Sequence, residues 1–424
     1  MATVVFYFQV HQPYRLRRYS VFDNDPFYFE DSKNGAIVQK VADKCYRPAT
    51  RLILDLVRRH GGNFRVSYAI TGTLLDQFEK FCPDVIGIFQ DLAETGCCEF
   101  VGETYYHSLS FLYSRPEFEE QVEMQSRKIE NLFGQRPKVF RNTELIYSNE
   151  LSLALASMRN PDGTPRFKGA ICEGTDRLLG YRSPNYVYRP PDIGPAITEG
   201  RDRPFGLLLK NFRLSDDIAF RFSNRAWEEW PLSAEKFAQW VHQINGDGFL
   251  CNLFMDYETF GEHQWADTGI FQFLDKLPEA VFDVVPGENH FATPSEVLDR
   301  FDPVGSYDVP EYISWADTER DLTAWRGNAM QWNALEETYR LERAIKDRIV
   351  EAKNSGDPER QKHAGYLLED WRKLTTSDHF YYMCTKFWAD GDVHKYFSPY
   401  DSPYDGYINF MNVLDNLRTR MAKV

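Results

Sequence analysis

Two apolar segments of this chain end in a carboxylate. VFRNTELIY at 139–147 contains Glu144, and FLCNLFMDYETFG at 249–261 contains Asp256. Buried parallel strands are near-continuous apolar runs, and enzymes built on such strands place their chemistry at the carboxyl ends. Two carboxylates that face each other across a cleft are the arrangement that glycoside hydrolysis needs.

The neighbours of the two carboxylates predict different charge states. A retaining glycosidase needs an ionised nucleophile and a general acid/base whose pKa is raised. Arg141 lies just before Glu144 and favours an ionised carboxylate. Glu258 follows Asp256 at the i+2 position, so the two share a face of an extended segment, where like charges raise one pKa, and Glu262 adds negative potential. We therefore predict that Glu144 is the nucleophile and Asp256 the acid/base.

Other polar and aromatic side chains fall at the same predicted face. They are His11 in HQP, Glu103 and His107 in GETYYHSL, Trp315, Asp317 and Trp325 in SWADTERDLTAW, and His263 and Trp265. Each of them alone is more often a solvated loop residue, a helix cap or a satisfied polar residue. Because sugars are bound by aromatic platforms and polar groups, it is the grouping that indicates a glucan-binding cleft.

Other chemistries fit the sequence less well. His11 and His107 with Asp256 offer zinc ligands, but no H-x-D, H-x-x-H or H-E-x-x-H spacing surrounds them. The chain has no G-x-S-x-G for a serine hydrolase, no G-x-G-x-x-G after a strand and no phosphate-binding P-loop. A metal-dependent deacetylase or mannosidase on a related barrel remains an alternative, which a strong chelator would test.

The pattern of elements predicts a βα part followed by a helical part. Apolar strand-like runs alternate with amphipathic helices over about the first 300 residues. The predicted strands are 4–10, 64–70, 98–101, the runs before Glu144 and Asp256, 169–173 and 205–211, and the predicted helices are 36–60, 74–94, 117–133, 149–158 and 232–244. Residues 180–206, rich in Pro, Gly and Arg, predict an excursion from the barrel. Later helices are predicted at 319–350, from Asp357-Pro358 to about 373, at 378–388 and at 404–422.

Composition and charge argue against several partners. The 424 residues carry 49 Lys and Arg against 63 Asp and Glu, a net charge of −14, which disfavours nucleic acid and anionic membranes. Seven cysteines without a C-x-x-C pattern fit a reducing compartment. The N-terminal segment MATVVFYFQVHQP lacks a basic region and is too short to span a bilayer. We expect a cytoplasmic protein without a membrane anchor, and the oligomeric state stays open.

Taken together, the motifs resemble those of the family 57 glycoside hydrolases, especially the intracellular α-amylase-like members. The similar segments, in chain order, are HQP at 11–13, GETYYHSL at 102–109, NTELIY at 142–147, LSDDIAFRFS at 214–223, MDYETFGEH at 255–263, the stretch 314–328, TSDHFYYM at 376–383 and HKYFSPYDSPYDGYINFMNVL at 394–414. The resemblance spans nearly the whole chain. One departure is Asn142-Thr143 before Glu144, where many relatives place other residues that tune the nucleophile.

The resemblance implies a fold and a mechanism. The expected fold is α/β, with an incomplete (β/α)7 TIM-like barrel over residues 1–300 and a helical bundle domain over 301–424 packed against the active-site face. The expected activity is retaining cleavage of α-1,4-glucans, with Glu144 and Asp256 as catalytic residues and without a metal or other cofactor. The expected substrate-binding residues are His11, His107, Glu258, His263, Trp265, Asp317, Trp325 and His379.

Besides the metal-dependent enzyme, two alternative functions remain open at this stage. A 4-α-glucanotransferase would use the same residues with a sugar hydroxyl as acceptor, whereas branching enzymes are usually longer at the C-terminus. A non-catalytic glycan-binding protein on the same fold is the alternative of a different class, and the retention of both Glu144 and Asp256 argues against it.

Overall fold

The computed structural model of the protein describes residues 2–388 and 393–422. The strands in this part of the chain are β1 (Ala2–Val10), β2 (Val66–Ile70), β3 (Cys98–Phe100), β4 (Val139–Arg141), β5 (Gly169–Glu173), β6 (Val187–Tyr188), β7 (Gly206–Lys210), β8 (Leu250–Asp256) and β9 (Asn289–Phe291). They lie close to the predicted runs, and β5 coincides with its prediction. The excursion predicted at 180–206 contains the short strand β6.

Seven parallel strands close into a ring. β1 pairs with β2 and β8, β2 pairs with β3, and β5 pairs with β4 and β7. Gly102, just after β3, donates its N–H to Val139 O of β4 at 2.9 Å, and Asn211, just after β7, donates to Asn252 O of β8 at 2.9 Å. The ring order is therefore β1-β2-β3-β4-β5-β7-β8, with β6 antiparallel to β7 and β9 beside the start of β1. The fold is an incomplete (β/α)7 barrel, as expected.

The first strand shows how the sequence positions the site. Every residue of β1 is buried, because helices cover one face of the strand and the barrel interior the other. Phe6 and Phe8 pack against the helical layer, whereas Tyr7 belongs to the interior cluster. Gln9 continues the inward face, and the parallel register sets it beside Asp256 of β8. The inward face of β1 thus ends in polar groups at the carboxyl end of the barrel.

Helices surround the strands. Their bounds are α1 (Asp31–Val41), α2 (Arg47–Arg59), α3 (Gly72–Phe81), α4 (Pro83–Glu94), α5 (Arg115–Phe133), α6 (Asn149–Ser157), α7 (Asp176–Leu179), α8 (Phe212–Asp216), α9 (Ala234–Gln243), α10 (Ile270–Asp283) and α11 (Pro294–Arg300). A π-helical turn at Ala42–Tyr46 joins α1 to α2 within the predicted helix 36–60. The stretch predicted as helical at 74–94 consists of two helices, α3 and α4, because Pro83 begins a new helix after Cys82 leaves the helical conformation.

The last third of the described chain is helical. Its helices are α12 (Thr323–Arg326), α13 (Ala329–Arg340), α14 (Glu342–Ser355), α15 (Pro358–Leu374), α16 (Ser377–Tyr381), α17 (Val393–Phe397) and α18 (Pro403–Met421). The start predicted at Asp357-Pro358 is confirmed, since the Asp357 carboxylate caps α15. The stretch predicted as helix-forming at 319–350 contains α12, α13 and the start of α14, and a capping box of Asn328 and Gln331 begins α13 anew.

The helical part packs onto the barrel. Leu16, Tyr19 and Tyr28, from the loop after β1, share a hydrophobic cluster with Trp371 and Leu414 of the helices. We propose residue 300 as the boundary between the two parts, because the last described strand and α11 precede it and α12 follows it. Among the helices of the described residues, none combines the length and hydropathy that crossing a bilayer requires.

Candidate active site

A cavity of about 270 Å³ opens at the carboxyl ends of the barrel strands. Eight of the ten predicted site residues line it: His11, His107, Glu144, Asp256, Glu258, His263, Asp317 and Trp325. The two predicted catalytic carboxylates thus meet in one cavity, although they are far apart in sequence. Further lining residues come from the helical part, among them Asp378 and Tyr381.

Glu144 accepts hydrogen bonds from three side chains. It lies in a 3₁₀ turn after β4 with a left-handed backbone, at φ 58°. His107 Nε2 lies 3.3 Å and Ser377 Oγ 3.1 Å from Oε1, and Trp315 Nε1 donates to Oε2 at 2.9 Å. Donors on both oxygens fix the plane of the carboxylate and favour its charged form.

The charge of Glu144 is balanced by His107. Burial alone would lower the pKa of His107, but hydrogen bonds to Glu103 and Glu144 raise it to about 9, so the imidazole is a cation at neutral pH. Burial likewise opposes ionisation of Glu144, yet the bond to His107, the charge of His107 and then Arg141 bring the pKa of Glu144 below its usual value. Arg141 lowers the pKa of Glu144 as expected, but His107 lowers it more.

Asp256 has the opposite surroundings. It is the last residue of β8, and no group in the described chain donates a hydrogen bond to its carboxylate. Burial, and next the charge of Glu144, raise the pKa of Asp256 to about 6. The like-charge interaction expected between Asp256 and Glu258 is present, but it raises the pKa of Glu258, and the like charge that acts on Asp256 comes from Glu144 across the cavity.

Glu258 is itself the more perturbed acid. Burial, and next the charge of Asp256, raise the pKa of Glu258 to about 8, so its carboxyl is neutral at pH 7. The Tyr46 hydroxyl hydrogen-bonds to it inside the wall of the barrel. Glu262 does not line the cavity, because Lys40 and Lys44 hold its carboxylate in ion pairs.

His11 is held in a definite tautomer. The Asp378 carboxylate, whose pKa His11 lowers, can only accept, so His11 Nε2–H is the donor to Asp378 Oδ2 at 3.0 Å. His11 Nδ1 is then the acceptor, and Thr71 Oγ1 donates to it at 2.9 Å. The His11 ring stacks on that of His107 at 4.0 Å, and burial together with this cation lowers the pKa of His11.

Asp317 lines the cavity, but two side chains of the helical part already bind its carboxylate. Lys386 Nζ lies 3.0 Å from Oδ2 and His394 Nε2 3.1 Å from Oδ1. Burial opposes the charge of Asp317, and the two cations outweigh burial and lower the pKa of its carboxyl. The direct bond to sugar expected of Asp317 would have to compete with this ion pair.

Two predicted site residues lie outside the cavity. Trp265 is 60% exposed on the surface, where the Lys44 ammonium lies over its ring. His379 packs inside the helical part against Phe410 and does not reach the cleft. Its predecessor Asp378 lines the cavity instead, because consecutive residues of a helix point in directions about 100° apart.

Backbone strain is concentrated at the same place. Among the described residues, the non-glycine positions with positive φ are His107, Glu144, Leu145, Asp317 and Arg320. Three of them line the cavity and the other two lie next to or near lining residues in sequence. Such conformations cost on the order of 1–3 kcal/mol each and persist where the surrounding structure fixes them, often at functional sites.

The sequence predictions left out several residues of the site. Trp315 was noted without a role, and in the structure Arg141 Cζ and Lys210 Nζ lie over its ring, 4.9 and 5.5 Å from the centroid. Ser377 and Asp378 had no role either. The signal available for all of them was their position in the two segments of the family resemblance, 314–328 and 376–383.

Comparisons with known proteins point to one family. A family model described as "Glycosyl hydrolase family 57" matches residues 5–310. A protein of Methanocaldococcus jannaschii described as "Putative alpha-amylase" is 40% identical over 418 residues, which are 97% of this chain and 83% of that protein.

Solved structures share the fold. The 4-alpha-glucanotransferase of Thermococcus litoralis has a TM-score of 0.59 at 16% identity, over 89% of this chain and 56% of that one. For a branching enzyme of Thermococcus kodakaraensis the TM-score is 0.63 at 15% identity, over 93% and 87% of the chains. For the alpha-amylase AmyC of Thermotoga maritima it is 0.61 at 15%, over 100% and 96%. Identities this low show a common fold alone.

Proposed function

The chain belongs to glycosyl hydrolase family 57, and we propose that it cleaves α-1,4-glucans by a retaining double displacement. Membership places it among the glycoside hydrolases. The observation that carries the finer proposal is the contrast between two carboxylates in one cavity. Glu144 is held ionised by donors on both oxygens, and burial keeps a proton on Asp256 up to about pH 6.

The proposed first step forms a covalent intermediate. A Glu144 oxygen attacks the anomeric carbon while the bond from that carbon to the bridging oxygen breaks, and Asp256 gives its proton to the departing oxygen. In the second step the Asp256 carboxylate takes a proton from water, whose oxygen displaces Glu144 from the sugar. If a sugar hydroxyl takes the place of water, the same residues carry out 4-α-glucan transfer.

The remaining lining residues suit a neutral sugar. Trp325 is buried at the cavity wall, and its indole N–H, which is itself buried, has no acceptor among the described protein groups. His263 is half-buried there, and the loss of solvent around its ring lowers its pKa to about 4, so that it is an uncharged hydrogen-bonding group. Tyr381 offers an aromatic ring beside Trp325.

A metal-dependent reaction is supported less well. Ligand atoms of His11, His107 and Asp378 lie within 4.8 Å of one another, and this set differs from the one that the sequence indicated. An imidazole lone pair lies in its ring plane, however, and the two rings are stacked 4.0 Å apart at 24°, so one ion cannot lie in both planes without a ring turning. Both nitrogens of His107 are also bonded to carboxylates.

Two experiments test the proposal. A product profile on maltoheptaose separates the activities, since only shorter oligomers indicate hydrolysis, whereas longer ones indicate transfer. No product from maltoheptaose or soluble starch at any pH would leave the non-catalytic glycan-binding alternative. Dialysis against a strong chelator should leave activity unchanged, and loss of activity that zinc restores would favour the metal alternative.

The cellular location belongs to the same proposal. All seven cysteines are buried and none forms a disulfide. Free buried thiols are typical of proteins in a reducing compartment. We therefore place the enzyme in the cytoplasm, acting on soluble α-glucans, and fractionation of the source cells would test this.

A further inference from the structure

We propose that Ser377, from the helical part of the chain, is a positioning residue that orients the Glu144 carboxylate for attack. The inference rests on the proposed function, because it concerns the same nucleophile. It goes further by making the helical part a contributor to the catalytic step. The segment Thr376–Asp378 is the point of contact.

Three successive residues of this segment bond to the barrel. Thr376 Oγ1 donates to Tyr106 O at 2.9 Å, and Ser377 N–H donates to His107 O at 2.9 Å. Asp378 accepts the hydrogen bond from His11. Hydrogen bonds of the backbone and of the side chains therefore fix the segment on both sides of Ser377. They also fix the position of the serine hydroxyl.

The hydroxyl of Ser377 reaches only the nucleophile. Ser377 is fully buried, and the one hydrogen bond that its hydroxyl donates among the described residues goes to Glu144 Oε1. Trp315 holds the other oxygen, so Ser377 and Trp315 together fix the rotation of the carboxylate about its Cγ–Cδ bond. An attacking oxygen must point at the anomeric carbon, and small misplacement lowers the rate steeply.

The same contact supports the His107 backbone. His107 has a left-handed conformation, at φ 50°, which persists only where surrounding bonds fix it. The bond from Ser377 N–H to His107 O is made by the backbone and survives a change of the serine side chain. A variant of the side chain therefore removes the bond to Glu144 and keeps the docking.

The test compares Ser377→Ala with Thr375→Val. Thr375, just before the segment, is also fully buried, and its hydroxyl donates to Arg372 O within the helical part, so Thr375→Val removes a neighbouring buried hydroxyl without touching the site. The substrate is α-maltosyl fluoride, whose leaving group needs little help from an acid. We expect kcat/KM to fall about 10- to 100-fold in Ser377→Ala, the range for a bond to a charged acceptor, and to stay near wild type in Thr375→Val.

A second readout does not depend on activity. In protein labelled with ¹³C at the glutamate carboxyl, the Glu144 signal is identified by its absence in Glu144→Gln. Loss of a donor should move its titration to higher pH in Ser377→Ala. We expect Ser377→Cys, which keeps the bulk but donates weakly, to behave as Ser377→Ala.

Three outcomes would overturn the role of Ser377. They are an unmoved Glu144 titration, wild-type kcat/KM in Ser377→Cys, and equal losses in Ser377→Ala and Thr375→Val. Wild-type protein without any action on α-maltosyl fluoride would refute the proposed function instead, and the titration would still decide whether Ser377 acts on Glu144.

Discussion

The carboxyl ends of β4 and β8 present one carboxylate each to the same cavity, in opposite surroundings. At the β4 end, Glu144 accepts hydrogen bonds from His107, Trp315 and Ser377. At the β8 end, Asp256 is bounded by buried strand residues and accepts none from the described protein groups. The two acids thus differ in the number of hydrogen-bond donors that the chain places around them.

The donors at the β4 end come from three distant parts of the sequence. His107 follows β3, Trp315 belongs to the connection after the barrel, and Ser377 begins α16. The β8 end is built by the barrel alone, where Gln9 of β1 pairs in register with Asp256. An ionised carboxylate needs donors that must be assembled, whereas burial and a nearby negative charge raise the pKa of a carboxyl without them.

The largest expected effect comes from Glu144→Gln. The amide keeps the size of the side chain but cannot form the glycosyl ester, so we expect activity on soluble starch to fall by roughly 10⁴-fold or more. Release of reducing sugar measures this, and Glu262→Gln, outside the cavity, is the matched control. Azide should rescue Glu144→Gly and give a β-glycosyl azide.

Near-wild-type turnover in Glu144→Gln would remove Glu144 from its proposed role and with it the contrast between the two strand ends. Circular dichroism and thermal melting show whether the variant folds. We expect both to resemble the wild type, because the amide fills the same space as the carboxylate.

The next effect separates the two acids by substrate. Asp256→Asn cannot protonate the departing oxygen, so we expect kcat/KM on maltoheptaose to fall by about 10²- to 10⁴-fold. On α-maltosyl fluoride the loss should be tenfold or less. Equal losses on both substrates would mean that Asp256 does not act as the acid, and Glu144→Gln, which should lose both activities, is the reference.

The pH profile tests the charge states directly. The acid must carry its proton, so kcat/KM should fall as pH rises above the pKa of Asp256, about 6, by up to tenfold per unit. The nucleophile must be ionised, so activity should also fall below the lowered pKa of Glu144. Asp256→Asn with α-maltosyl fluoride should lose the alkaline limb, and its persistence there would assign that limb to another group.

The sequence predicted most of the barrel because its strands are apolar runs bounded by turn residues. β1, β5 and β8 are buried on both faces, so mostly apolar residues fit them. The polar residue that ends such an apolar run can therefore be recognised in the sequence. The breaks at Pro83 and Asn328 were missed because both lie inside stretches with continuous helical periodicity.

The site was predictable only in its barrel half. Residues at strand ends share a face by topology, which brings His11, Glu144 and Asp256 together. No such rule tells which residue of a short helix faces a cavity, so the sequence predicted His379 and missed its neighbour Asp378, which lines the cavity. Trp265 lies beside the site in sequence, but the turn after β8 carries it to the surface.

The smallest expected effect concerns Glu258 and the stability of the β8 end. The pKa of Glu258 is about 8 in the folded protein and 4.5 for an unperturbed glutamate. Between these values the folded state holds a proton that the unfolded state has lost. This group therefore makes the free energy of unfolding decrease as pH rises from 4.5 to 8, by at most about 1.4 kcal/mol per unit.

Glu258→Gln removes this dependence, because the amide resembles the protonated carboxyl and does not titrate. The melting temperature of Glu258→Gln minus that of the wild type should therefore increase from pH 5 to pH 8. Activity at pH 6, where Glu258 is already neutral, should stay within about threefold of the wild type, less than a general acid supplies. A melting-temperature difference between Glu258→Gln and the wild type that stays constant from pH 5 to pH 8 would show that Glu258 is ionised beside Asp256. Burial of the β8 end would then not suffice to keep its acids protonated.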